Sequence, residues 1–173
     1  QLINDFSKKW DNSFKKLYHF FVQFNIEASF ELYDIEPYFK DWSNLPGFAK
    51  LLVLPKNKIE ASIILKTCYT CNILLTISAG QTNLTGSATP NGGVILSTKL
   101  FISGEILINT DKKDATCPVG IPLEKFRDEV LKKTNKMSFK KSLNLVSQNI
   151  EHTFDLDFCL KNFNDSLDGV KIY

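Results

Sequence analysis

Between Leu2 and Phe24 the apolar residues Ile3, Phe6, Trp10, Phe14, Leu17, Tyr18 and Phe21 recur at steps of three and four, while Lys8, Lys9, Lys15 and Lys16 fall off the stripe. That spacing predicts one amphipathic helix. Two uses for it stay open: packing onto the body of the protein, or contact of residues 1–24 with a membrane surface through the cationic face. Prolines and a glycine in "IEPYFKDWSNLPG" then predict irregular chain leading into the next part.

The pattern changes at "AKLLVLP", a short apolar run closed by Pro55 that predicts a buried strand. Asn57 follows as an N-cap with Glu60 three residues on, and Ile59 and Ile63 carry a helix through "KTCYT". "NILLTIS" predicts a second buried strand, so the three pieces form a βαβ unit with its two strands parallel. "GGVILSTKL" supplies a further strand, and "GEILINTDKKDATCPVGIP" two strands joined by the charged turn "TDKKD". A helix starts at Pro122 with Leu123, Phe126, Val130 and Leu131 on one face. Beyond Lys136 the periodicity weakens, and one or two helices are expected there.

Between the second and third of these strands lies "SAGQTNLTGSATPNGG", residues 78–93, with four glycines and no charge. Glycines allow close approach to the backbone, so successive N–H groups can converge on an anion, with hydroxyl and amide side chains as further donors. A pyrophosphate suits such a loop. A purely structural Ω-loop has the same composition. The spacing from Gly80 to Gly86 is wrong for a P-loop and no lysine follows, G-x-G-x-x-G is absent, and Ser87 is not in a G-x-S-x-G elbow.

Composition narrows the classes further. The 173 residues are 43% hydrophobic and 23% charged, the balance of a globular protein with a core. Net charge is +2 from 21 basic and 19 acidic side chains, and Arg127 is the single arginine, which argues against nucleic acid as a partner. No apolar run reaches the roughly 20 residues of a membrane span, so a cytoplasmic location is expected, with membrane association only through residues 1–24. Cys68 and Cys71 match C-x-x-C but fall at the C-terminal end of the predicted helix, where the dipole disfavours a thiolate. They read as helix-packing residues, and no paired spacing of Cys or His predicts a metal site.

From about Asp34 to Thr134 the chain resembles the N-terminal half of the FAD-binding domain of FAD-linked oxidases of the vanillyl-alcohol oxidase type, in the branch with D-lactate dehydrogenases and glycolate oxidase. Strand, proline, helix and strand lead into "GQTNLTG", similar to the family's G-x-T-x-L-T-G, then "PNGGVILS", and later "VGIPL". The resemblance implies an α+β fold: a βαβ-containing FAD-binding subdomain (PCMH-type) over residues 31–136, preceded by an extra N-terminal helix and lead-in at 1–30 and followed by a divergent, irregular or helical tail at 137–173. It implies that Ala79, Gly80, Gln81, Thr82 and Asn83 cradle the FAD pyrophosphate, that Gly86 and Ser87 continue the wrap, and that Gly120 lies close to the cofactor. No attachment histidine stands near the loop, so the FAD would be held non-covalently.

The expected activity is that of a flavin-dependent oxidoreductase acting on a 2-hydroxy acid such as D-lactate or glycolate. The family's A-T-I-G-G stretch and the cap that carries its substrate site are not readable in residues 137–173, so the expectation is a fragment, inactive alone, with no catalytic residue assignable. The alternative is a non-catalytic binding or interaction module that keeps the scaffold and has lost the cofactor.

Overall fold

A computed structural model describes residues 1–134. The chain divides into two units, one from Gln1 to Ser103 and one from Gly104 onward. The fold is mixed α and β, with parallel and antiparallel strand pairs in one sheet.

The first unit contains α1 (Leu2–Ser7), α2 (Phe14–Gln23), β1 (Glu27–Ser29), α3 (Leu32–Ile35), β2 (Leu51–Leu54), α4 (Lys58–Thr70), β3 (Leu75–Ser78) and β4 (Val94–Ser97). The four strands lie in the order β1-β2-β4-β3. β2, β4 and β3 run parallel, and β1 is antiparallel to β2, with Glu27 opposite Leu54.

The two central strands carry apolar residues on both faces, as parallel strands covered on both sides must. On one face Leu51, Val53, Val94 and Leu96 meet Leu17, Phe20 and Phe21 of α2 and Ile64 and Cys68 of α4. On the other, Leu52 and Ile95 meet Ile35, with Tyr38 and Phe39 packed beside them. Each fully buried side chain of this size stabilises the fold by about 1.5–3 kcal/mol relative to exposure.

The single helix expected over Leu2–Phe24 is two. Asn12 adopts a φ of 65°, the Asp11 carboxylate accepts the N–H of Ser13, and the Ser13 hydroxyl accepts the N–H of Lys16 at 3.4 Å to cap α2. Local side-chain acceptors thus outcompete a continuous helix at this point. The break lets α1 fold back so that Phe6 stacks on Phe20 at 4.1 Å between ring centroids. The apolar stripe is spent on the core: Leu17 and Phe21 are fully buried and Ile3, Phe6, Trp10, Phe14 and Tyr18 pack against them.

The βαβ unit forms, with its helix capped as expected: Asn57 Oδ1 accepts the N–H groups of Ile59 and Glu60, and Glu60 reaches back to the N–H of Lys56 at 2.8 Å. Its strands are parallel but not adjacent, because β4 inserts between them. β3, expected to be buried, is an edge strand with Ile77 55% exposed. The uninterrupted "VILS" run, all four residues buried, claims the centre, whereas β3 places Thr76 and Ile77 where one side is open.

The second unit opens with a hairpin of β5 (Leu107–Asn109) and β6 (Asp114–Thr116), as the "TDKKD" turn predicts. Asn109 Oδ1 accepts the N–H groups of Asp111 and Lys112, and Lys113 takes a φ of 55°. α5 (Leu123–Lys133) starts after Pro122 and buries Phe126, Val130 and Leu131. The tail at 137–173, with the helices expected in it, lies outside the described residues.

Candidate functional site

Residues 79–93 leave the carboxyl end of β3 and return to the amino end of β4. The carboxyl ends of β2, β3 and β4 share one edge of the sheet, where Ser78 is paired with Ser97. Ligands of open α/β sheets bind at such an edge.

The returning arm of the loop is built into the scaffold. Phe48 donates its N–H to the Pro90 carbonyl at 3.0 Å, and Gly92 donates to the Phe48 carbonyl at 2.7 Å. Gly93, at a φ of 67°, passes so near β3 that a Cβ would sit 2.0 Å from the carbonyl oxygen of Leu74. Gly86, at 74°, would place a Cβ 2.6 Å from Leu45 Cδ1. Both positions demand glycine for structural reasons.

The outgoing arm is tied by its side chains to the segment before β2. Gln81, at a φ of 56°, donates from Nε2 to the carbonyls of Pro37 and Lys40 at 2.9 and 2.8 Å. Asn83 Nδ2 donates to Asp41 Oδ2 and, at 3.0 Å, to Ser87 Oγ, which also accepts from the Thr85 hydroxyl at 3.2 Å. Ala88 donates its N–H to the same Asp41 oxygen at 3.3 Å, while Asp41 Oδ1 takes the N–H of Ser43 at 2.9 Å. Asp41 is 4% exposed. Hydrogen bonding from Ser43 holds its carboxyl below the usual aspartate range against the upward push of burial, helped by Ala88 and Asn83.

What these bonds leave over is the backbone. Among the described residues, no main-chain N–H from Ala79 to Ser87 donates to another group of the protein. Ala79, Gly80, Thr82 and Ser87 are exposed, and Gln81, Asn83 and Gly86 half-buried. Gly80 differs from the other loop glycines: the nearest atom to a Cβ there is Thr82 Cγ2 at 3.9 Å, so the fold itself does not require glycine at that position. The loop therefore offers an uncharged run of N–H donors on a frame that the Gln81 and Asn83 side chains tie to residues 37–41.

Seven of the eight residues the resemblance implies are thus gathered in one loop, with the Gln81 and Asn83 side chains committed to protein acceptors. Gly120 lies in the second unit, in a turn where Ile121 donates its N–H to the Pro118 carbonyl at 3.2 Å. Asp41 escaped the sequence reading. Its only local signal is the D-x-S spacing of an Asx turn, which predicts the bond to Ser43 but not the one to Asn83, 42 positions on.

Other candidate chemistry is weaker. Cys68 sits in the last turn of α4 and Cys71 caps it; burial, and then proximity to Cys71, pushes the Cys68 thiol up to about 12, so it is no thiolate at neutral pH. Among the described residues no group of three or more His, Cys, Asp or Glu comes together to hold a metal, and none of the helices is long and apolar enough to cross a membrane. Arg127 is engaged with Asp128 and Glu124 on its own helix. An open hollow of about 750 Å³ between the hairpin and α5 is walled by Glu105, Asp114, Glu129, Lys132 and Lys133 and contains none of the expected site residues. No family model and no curated protein matches the chain.

Proposed function

We propose that the chain binds FAD non-covalently through residues 79–87 and is the FAD-binding part of a flavin-dependent oxidoreductase acting on a 2-hydroxy acid such as D-lactate or glycolate, without turnover of its own. The finer fold proposed with it is a subdomain of the vanillyl-alcohol oxidase type. Strand, proline, capped helix, edge strand, loop and central strand in this order support it.

The observation that carries the reading is the division of labour in the loop: side chains tie it to the segment 37–41, and among the described residues the main-chain N–H groups of residues 79–87 have no protein acceptor. A diphosphate fits that donor set. Fixed amide dipoles bind an anion with little reorganisation, and the bare Gly80 admits close approach. Bound flavin would supply the hydride acceptor; the residues of this chain hold and orient the dinucleotide.

A titration tests the proposal. Adding FAD to the purified protein should shift the flavin absorbance band and quench its fluorescence with a saturable, equimolar end point. A flavin spectrum unchanged by excess protein favours the second reading, a module that has lost the cofactor. That reading draws its support from the inward commitment of Gln81 and Asn83.

A further inference from the structure

We infer that Asp41 is the positioning residue of this loop: a buried carboxylate that staples it from behind and keeps its N–H groups free for the ligand, without touching the ligand itself. For the identity of that ligand the inference rests on the FAD reading above.

The geometry is specific. One oxygen, Oδ2, takes both the side-chain amide of Asn83 and the main-chain N–H of Ala88. These two donors bracket Leu84–Ser87, so a single acceptor closes both ends of that stretch. The other oxygen, Oδ1, takes the N–H of Ser43 and so fixes the carboxylate to its own segment. The side chain is almost fully buried, and among the described residues no lysine or arginine pairs with it. Among the described residues its charge is met by hydrogen-bond donors of Ser43, Ala88 and Asn83. Only a group with two acceptor oxygens can face both ways, and an amide at position 41 has one.

The sign of the charge separates this role from an electrostatic one. A carboxylate beside a diphosphate repels it, so if charge were its main effect, neutralising Asp41 would tighten FAD binding. If it acts as a staple, neutralising it loosens the stretch 84–87 and weakens binding.

The test is a set of FAD titrations on the full chain with Asp41→Asn, Asn83→Ala and both together. The expected result is an affinity weaker by about tenfold or more for each single variant. The double variant should be no worse than the weaker single one, since both remove the same link. Hydrogen exchange gives the second readout: exchange at Ala88, whose N–H is bonded to Asp41, should quicken in Asp41→Asn while the amides of β4 stay protected. Unchanged or tighter FAD binding by Asp41→Asn, or additive losses in the double variant, would overturn the inference. If Asp41→Asn does not fold, Asn83→Ala decides by the same two measurements. If the unsubstituted protein binds no FAD, the functional reading falls, and exchange alone decides on the staple: no change at Ala88 in the variants refutes it.

Discussion

Gly93 and Leu74 meet backbone to backbone, so closely that a Cβ on the first would lie 2.0 Å from the carbonyl oxygen of the second. This contact brings the loop back into the sheet, and Val94 then donates its N–H to the same carbonyl at 2.9 Å. Gly93→Ala should therefore cost about 4 kcal/mol or more, the range reserved for steric failure in a core. Chemical denaturation followed by circular dichroism measures it. A loss below about 1 kcal/mol would mean that the backbone relaxes around the methyl group.

Gly80 gives the opposite expectation. With 3.9 Å to the nearest atom, a side chain there has room, and Gly80→Leu should change stability by no more than about 0.5 kcal/mol. FAD affinity should nevertheless fall by about tenfold or more, because the side chain blocks close approach to the N–H groups. Thr82→Val, at an exposed position, should cost about 1 kcal/mol of binding and nothing in melting temperature.

Much of this was legible beforehand, for local reasons. Asn57 and Glu60 announce the start of α4 because a cap is satisfied within four residues, and Pro122 announces α5 in the same way. The loop was legible by composition. What escaped depends on partners far away in sequence. β1 is three residues of unremarkable "EAS" and exists because β2 offers an antiparallel edge. That β4 lies between β2 and β3 is decided by which run can be buried on both faces. Asp41 looks like any turn residue until Asn83 and Ala88 fold onto it.

The folded carboxyl of Asp41 lies below the ordinary aspartate value of about 3.9, so its contribution is complete above that value and is lost as the pH falls through the lower folded one. Loop order should be flat from neutral pH down to about 4 and decay only in more acid solution. The side-chain amide resonance of Asn83, followed by NMR against pH, measures this. Loss of the resonance's dispersed position already at pH 6 would mean that another group holds the loop.

Phe21 is fully buried at the centre of the larger core cluster. Phe21→Ala should destabilise the first unit by about 3–5 kcal/mol, as deletion of a core aromatic does. Urea unfolding reads it out, and a cost under about 1 kcal/mol would show that α2 is peripheral to the core.

The two described thiols at the extremes of exposure should differ in reactivity. Cys117 is exposed, whereas Cys68 is buried with its thiol pushed up to about 12. Iodoacetamide at pH 8 followed by peptide mass spectrometry should find Cys117 modified and Cys68 untouched until the protein is denatured. Early modification of Cys68 would place it in an open environment.

The most direct test of the loop's role is to follow backbone amide resonances of the ¹⁵N-labelled protein while FAD is added. Saturable shifts should concentrate at residues 79–87, with the amides of α4 and α5 unmoved. Shifts concentrated elsewhere, or a spectrum that FAD leaves unchanged, would contradict a dinucleotide held by the main chain of this loop.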